Sequence, residues 1–184
     1  MKSLTALVLT ATFGLVLSVA ALGADSSSPI TEVKVKETAG RNYLCLKKEL
    51  KLAEMKDFAV EGITELFQKA TELKLGQGGP VMFTYYNFMG DPEQRFTAEI
   101  GLPVYKKEGV EKSPTGPYVR ETTKFKCASA IFQGPMSKMG EAWAAFVPVV
   151  AQKGEATWES RQLVLYYEGA ESPNNIVELQ MGLK

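Results

Sequence analysis

Two stretches of the sequence share one layout. The first runs Tyr85-Tyr86-Asn87-Phe88-Met89-Gly90-Asp91-Pro92 and goes on to Glu99-Ile100-Gly101-Leu102-Pro103-Val104. The second runs Tyr166-Tyr167-Glu168-Gly169-Ala170-Glu171-Ser172-Pro173 and goes on to Glu178-Leu179-Gln180-Met181-Gly182-Leu183. Each is a strand, an eight-residue turn segment ending in proline, and a strand carrying one glutamate among apolar residues. The glutamates lie 79 residues apart and the tyrosine pairs 81, so the two copies nearly superpose. Duplication constrains the fold strongly. Half-domains that cannot bury their faces alone must pack together, and residues at equivalent places then line whatever lies between them.

Around these anchors the pattern fills in as strand, strand, helix, strand, strand, twice. Thr31 to Lys36 and Arg41 to Lys47 alternate polar and apolar residues, separated by Ala39-Gly40. From Met55 to Leu73 the period changes: Met55, Ala59, Ile63, Leu66, Phe67, Ala70 and Leu73 recur three or four apart, with Asp57 placed to cap. Val81 to Tyr86 and Phe96 to Val104 close a first unit of about residues 31–104. A charged connector marked by Gly and Pro spans 105–117. The second unit, about 118–184, has strands at Tyr118 to Thr122 and Lys124 to Phe132. Its helix is capped at Ser137, with Trp143, Phe146, Val147 and Val150 on one face, and its closing strands are Gln162 to Tyr167 and Ile176 to Leu183. Pro148 lies inside that helix and predicts a kink or break near Val147. The expected class is α+β: duplicated ββαββ units forming one antiparallel sheet, two helices on one face and a groove between the halves.

Residues 1–24 carry a separate message. Lys2 precedes an uncharged run from Leu4 to Leu22, and small residues up to Ala24 are followed by the polar Asp25-Ser26-Ser27-Ser28-Pro29. This is the layout of a cleaved signal peptide, which places a single domain, 25–184, in the periplasm or outside the cell. The competing reading is a membrane anchor, since the run is just long enough to span. After cleavage no stable membrane span is expected.

Composition removes several chemistries. With 21 basic and 21 acidic residues and no basic run, the chain lacks the footprint of a nucleic-acid binder. With no histidine, imidazole triads and the usual zinc, haem and copper sets are excluded, so neither a metal nor another cofactor is expected. Two cysteines, Cys45 and Cys127, sit on corresponding second strands. An exported chain can hold a bridge there, and the alternative is two small buried thiols that never meet.

What remains is carboxylate plus aromatics. Strand alternation puts Glu99 on the face of Thr97, Gly101 and Pro103, and Glu178 on the face of Ile176, Gln180 and Gly182. The helices should cover the more apolar opposite faces. Both glutamates then lie on the remaining face, in a groove or simply in water. Tyr85 or Tyr86, Tyr118, Tyr166 or Tyr167, Phe132 and Trp143 are the candidate walls.

Taken together these runs resemble a known family. Gly134-Pro135-Met136-Ser137-Lys138-Met139-Gly140-Glu141-Ala142-Trp143-Ala144-Ala145-Phe146, then Tyr166-Tyr167-Glu168 and Glu178 to Lys184, are similar to the GyrI-like small-molecule-binding family. Gly79 to Tyr86 and Glu99 to Val104 carry a second imprint. This family supplies effector-binding domains behind AraC- and MerR-type regulator heads, and its broader fold is similar to SOUL proteins. The resemblance implies a groove that takes lipophilic, often cationic compounds through a strand glutamate and aromatics. Glu178 stands at that glutamate, Glu99 at its first-half match, Trp143 at the second-helix tryptophan and Tyr166 at the penultimate-strand tyrosine. Gly182 stands where the family usually has proline, and no DNA-binding head is present in the sequence.

The expected function is non-enzymatic binding of a small hydrophobic or cationic molecule by Glu178, Glu99, Trp143, Tyr166, Tyr85 and Tyr118. One alternative is a hydrolase with Glu178 or Glu99 as general base and Tyr166 assisting. Another is an envelope interaction protein without a working pocket.

Overall fold

In the computed structural model, the described residues are 28–88, 90–105 and 116–184. The expected signal peptide and most of the 105–117 connector lie outside them. Eight strands run in chain order: β1 (Lys34–Thr38), β2 (Asn42–Leu50), β3 (Val81–Tyr86), β4 (Phe96–Pro103), β5 (Tyr118–Glu121), β6 (Phe125–Gln133), β7 (Ala156–Tyr166) and β8 (Ile176–Leu183). Helix α1 (Met55–Glu72) follows β2 and α2 (Met139–Lys153) follows β6, each entered through a single 3-10 turn. No helix among the described residues is long and apolar enough to cross a membrane.

All strands belong to one antiparallel sheet in the order β1-β6-β8-β7-β3-β4-β2-β5. The expected α+β architecture is present: both helices pack on the sheet, α1 over β2 and β4, α2 over β6 and β8. The units meet through their third strands, where β3 lies against β7.

The outer strands are exchanged. β1, which opens the first unit, pairs with β6 of the second, and β5, which opens the second, pairs with β2 of the first. Short-range hairpin logic points each outer strand at its sequence neighbour. The actual partners are non-local.

Each unit has its own core on the helix side. In the first, Leu44, Leu50, Phe58, Leu66, Phe83, Ile100 and Leu102 are buried together. In the second, Phe132, Ala142, Phe146, Val150, Val177 and Leu179 are. Gly62 lets α1 approach closely, because a Cβ there would stand 2.7 Å from Ile100 Cδ1. Two capping expectations fail. Asp57 lies in the first turn of α1 behind Glu54, and Ser137 sits within the 3-10 turn, its hydroxyl donating to Glu171 (2.8 Å). Helix α2 also runs on through Pro148 to Lys153. The lost donor costs one hydrogen bond on an exposed face, which does not end the helix here.

Candidate functional site

Two adjacent cross-strand rows occupy the sheet face away from the helices. One runs Lys34, Ser129, Gln180, Arg161, Thr84, Glu99, Lys47 across seven strands. The other runs Ile131, Glu178, Leu163, Met82, Gly101, Cys45, Tyr118. The rows are pseudo-two-fold copies about the β3–β7 seam. Glu99 matches Glu178, Cys45 matches Ser129, and Tyr118 matches Lys34. Two residues along the outer strands, Arg120 therefore matches Lys36. Three strand steps across the sheet and two residues along it separate the glutamates, roughly 16 Å in a flat sheet.

Glu99 is 1% exposed. Arg120 Nη2 stands 2.7 Å from Oε1, Tyr118 donates its hydroxyl to Oε2, and the Tyr86 hydroxyl lies 3.4 Å from Oε1. Burying a carboxylate is costly unless charge and donors come with it, and the exchanged strand β5 brings both, Arg120 and Tyr118. Burial raises the pKa of both phenols, and the neighbouring Glu99 charge raises it further, so both hydroxyls remain donors. The same causes push the Cys45 thiol up to about 12. Asn87, at φ 58°, turns the chain immediately after Tyr86 in a left-handed conformation that asparagine tolerates.

Glu178 is built differently. Ser129 Oγ donates to its Oε1 at 2.5 Å, Gln180 Nε2 at 3.0 Å, and Lys36 pairs with it from the exchanged strand β1. Burial alone would raise this carboxyl's pKa. The hydrogen bonds from Lys36, Ser129 and Gln180 outweigh it and hold the pKa below the usual range. No aromatic ring joins this network among the described residues.

The six residues singled out by sequence thus separate into groups. Glu99 and Tyr118 come together, and Glu178 lies on the same face in its own polar network. Tyr85 and Trp143 lie on the opposite, helix-covered side, 6.3 Å apart edge to face, with the Tyr85 hydroxyl donating to Gln162 (3.1 Å). The reason is strand parity: Tyr85 pairs with Ala98, so Tyr86 is the tyrosine that shares the glutamate face. Tyr166 is 48% exposed beyond an irregularity in β7, its hydroxyl bonded to Glu168 at 3.2 Å.

Sequence reasoning missed Arg120 and Lys36, and of the alternatives Tyr85 and Tyr86 it carried Tyr85 forward to the site. The alternation of Tyr86 with Tyr85 was a usable signal. The two cations had none, because their outer strands pair across units. The cysteines do not meet: both are free and buried, on β2 and β6 with four strands between them. By register Cys127 matches Tyr43, and Cys45 matches Ser129.

A cleft of about 630 Å³ opens beside this face, lined among others by Tyr86, Asn87, Phe125, Thr157, Glu159 and Gly182. Arg161 stacks 3.5 Å from the Phe125 ring centre and pairs with Glu159 at 2.6 Å. Tyr86 belongs to both features: its ring walls the cleft and its hydroxyl points to Glu99. Neither glutamate of the repeat lines this cleft.

Two ββαββ units sharing one sheet, with a buried glutamate at the matching place in each, define a class of small two-unit domains. The chain belongs to the GyrI-like family: the profile of the GyrI-like small molecule binding domain matches residues 31–184. Among solved structures it is similar to EcmrR in complex with DNA, at 15% identity and TM-score 0.65, covering 82% of this chain and 56% of that one. The chain thus spans little more than half of that protein. With the isolated EcmrR C-terminal domain the identity is 14% and the TM-score 0.63, over 83% and 97% of the two chains. SAV2435 bound to tetraphenylphosphonium matches at 13% and 0.57, over 84% and 94%, and a hydrolase from Listeria innocua at 11% and 0.55, over 87% and 95%. No curated protein matches. At these identities the structures establish the shared fold.

Proposed function

We propose that this domain binds a small hydrophobic molecule without transforming it, in the cleft beside Tyr86 and against the Glu99–Tyr118–Arg120 network behind that ring. The observation that carries the reading is the double role of Tyr86. An apolar ligand in the cleft rests on its ring, and any polar group of the ligand meets donors and acceptors already ordered by a buried carboxylate. Family membership supports the same class of function, and the aryl compound held by SAV2435 makes multi-ring molecules the first to try. The layout of residues 1–24 supports a periplasmic or secreted setting for this binding.

The test is calorimetric titration of a panel of multi-ring hydrophobic compounds against wild type, Tyr86→Ala and Glu99→Gln. Binding that weakens about ten-fold or more in both variants, with unchanged circular dichroism, supports the site; such a loss is about 1.4 kcal/mol. Binding indifferent to both variants removes it. No binding by any compound leaves the envelope interaction reading.

A hydrolytic reading has one observation in its favour, the tyrosine hydroxyl hydrogen-bonded to a buried carboxylate, and a relative described as a hydrolase. Against it, Glu99 is 1% exposed with three donors on its roughly four acceptor sites, which leaves little room for a water at hydrogen-bond distance. Ester turnover abolished by Glu99→Gln would reverse that judgement.

A further inference from the structure

The cation-binding features of this face are already filled by cations of the chain itself. Glu99 pairs with Arg120 at 2.7 Å, Glu178 with Lys36, and Glu159 with Arg161 at 2.6 Å. One face of each ring is taken as well: Lys47 Nζ lies 4.5 Å from the Tyr86 centroid, and Arg161 covers Phe125. A carboxylate and an aromatic face are the two groups that recognise a lipophilic cation, the first by charge and the second by its quadrupole. Here each has its resident partner. An added cation finds Glu99, Glu178 and Glu159 each already paired, and to lie on the face of Tyr86 that Lys47 occupies it must displace that ammonium.

Hydrogen-bonding capacity remains. Thr84 is fully buried beside Glu99 in the row, and its Oγ1 has no hydrogen-bond partner among the described residues; nor has the buried Arg120 Nε. A buried polar atom without a partner costs about as much as a lost hydrogen bond, and a ligand oxygen can relieve it once the Tyr86 ring turns aside, since neither residue lines the cleft directly.

We propose that the ligand of this site is an uncharged aryl molecule bearing an acceptor oxygen, and that Arg120 and Lys47 act as built-in counter-cations that exclude lipophilic cations. This rests on the reading of the Tyr86–Glu99 region as a binding site. It departs from the cationic compound that the resemblance implies.

Two probes of similar ring content separate the charge: triphenylphosphine oxide, uncharged with one acceptor oxygen, and tetraphenylphosphonium, a cation. Calorimetry on the full domain should show wild type binding the oxide at least ten-fold more tightly. Arg120→Met should tighten the cation at least ten-fold and weaken the oxide, whereas Arg120→Lys should keep the wild-type order. Should Arg120→Met fail to fold, Lys47→Met, at an exposed position, serves: it should tighten the cation several-fold with a smaller change for the oxide. Tighter binding of the cation by wild type overturns the charge assignment and leaves the binding site standing. Absence of binding of either probe, by wild type and by every variant, overturns both.

Discussion

Arg120 and Lys36 each supply the counter-charge of one buried glutamate. Removing one partner of a buried pair leaves an uncompensated charge, so Arg120→Met should destabilise the fold by about 3 kcal/mol in urea unfolding. Glu99→Gln in the same chain should recover most of that loss, because the orphaned charge then disappears. The second pair makes a pH prediction with a definite sign. The folded-state pKa of Glu178 is lowered, so its contribution is complete above the unfolded value of about 4.3 and is lost as pH falls through the folded value. The urea midpoint, followed from pH 6 downward, should fall below about pH 4 in wild type and fall less in Lys36→Met. An equal acid loss in both would show that other carboxylates govern it. Residue parity also explains what the sequence concealed. Tyr85 and Tyr86 are adjacent and chemically identical, yet a single step along the strand separates a ring packed against Trp143 from one beside Glu99.

At the scale of elements, the helices and inner strands were legible because their signals are local. The three-to-four spacing from Met55 to Leu73 marked α1, and alternation through Phe96 to Val104 marked β4 together with the face of Glu99. The outer strands were legible as strands but not as neighbours, since nothing in Thr31 to Lys36 encodes a partner nearly a hundred residues away. That single gap hid both counter-charges, Arg120 on β5 and Lys36 on β1, and the pairing that brings Tyr118 to Glu99. Glycine positions are informative at this scale too. The contact of α1 on β4 depends on Gly62, where Val should push Ile100 and Leu46 aside and cost about 1–3 kcal/mol, read as a lowered melting temperature. Gly182 lies under Phe125 with Thr157 in contact, leaving no room for a larger side chain, and so shapes one wall of the cleft.

For the whole molecule, the exchange of outer strands makes the halves interdependent. A chain ending within the connector would hold β1 with no β6 to pair with, and the complementary piece would hold β5 with no β2. Fragments 28–110 and 111–184 should each remain largely unstructured alone and form a one-to-one complex on mixing. Circular dichroism and size-exclusion chromatography would show this, and independent folding of either piece would contradict the interlocked sheet. Thiol accessibility offers a parallel check. Burial holds the thiols of Cys45 and Cys127 toward about 12 and about 11, so neither should react with iodoacetamide at neutral pH in the folded protein, and both should react in urea without reductant.

The exchange also bears on symmetry. Two identical ββαββ units trading first strands across a two-fold axis would form this same sheet as a dimer, and here the axis runs between β3 and β7 of one polypeptide. Within one chain the two equivalent carboxylate sites need not be alike. One has tyrosines and an arginine, the other a serine, a glutamine and a lysine, a difference that no symmetric assembly of identical copies can hold.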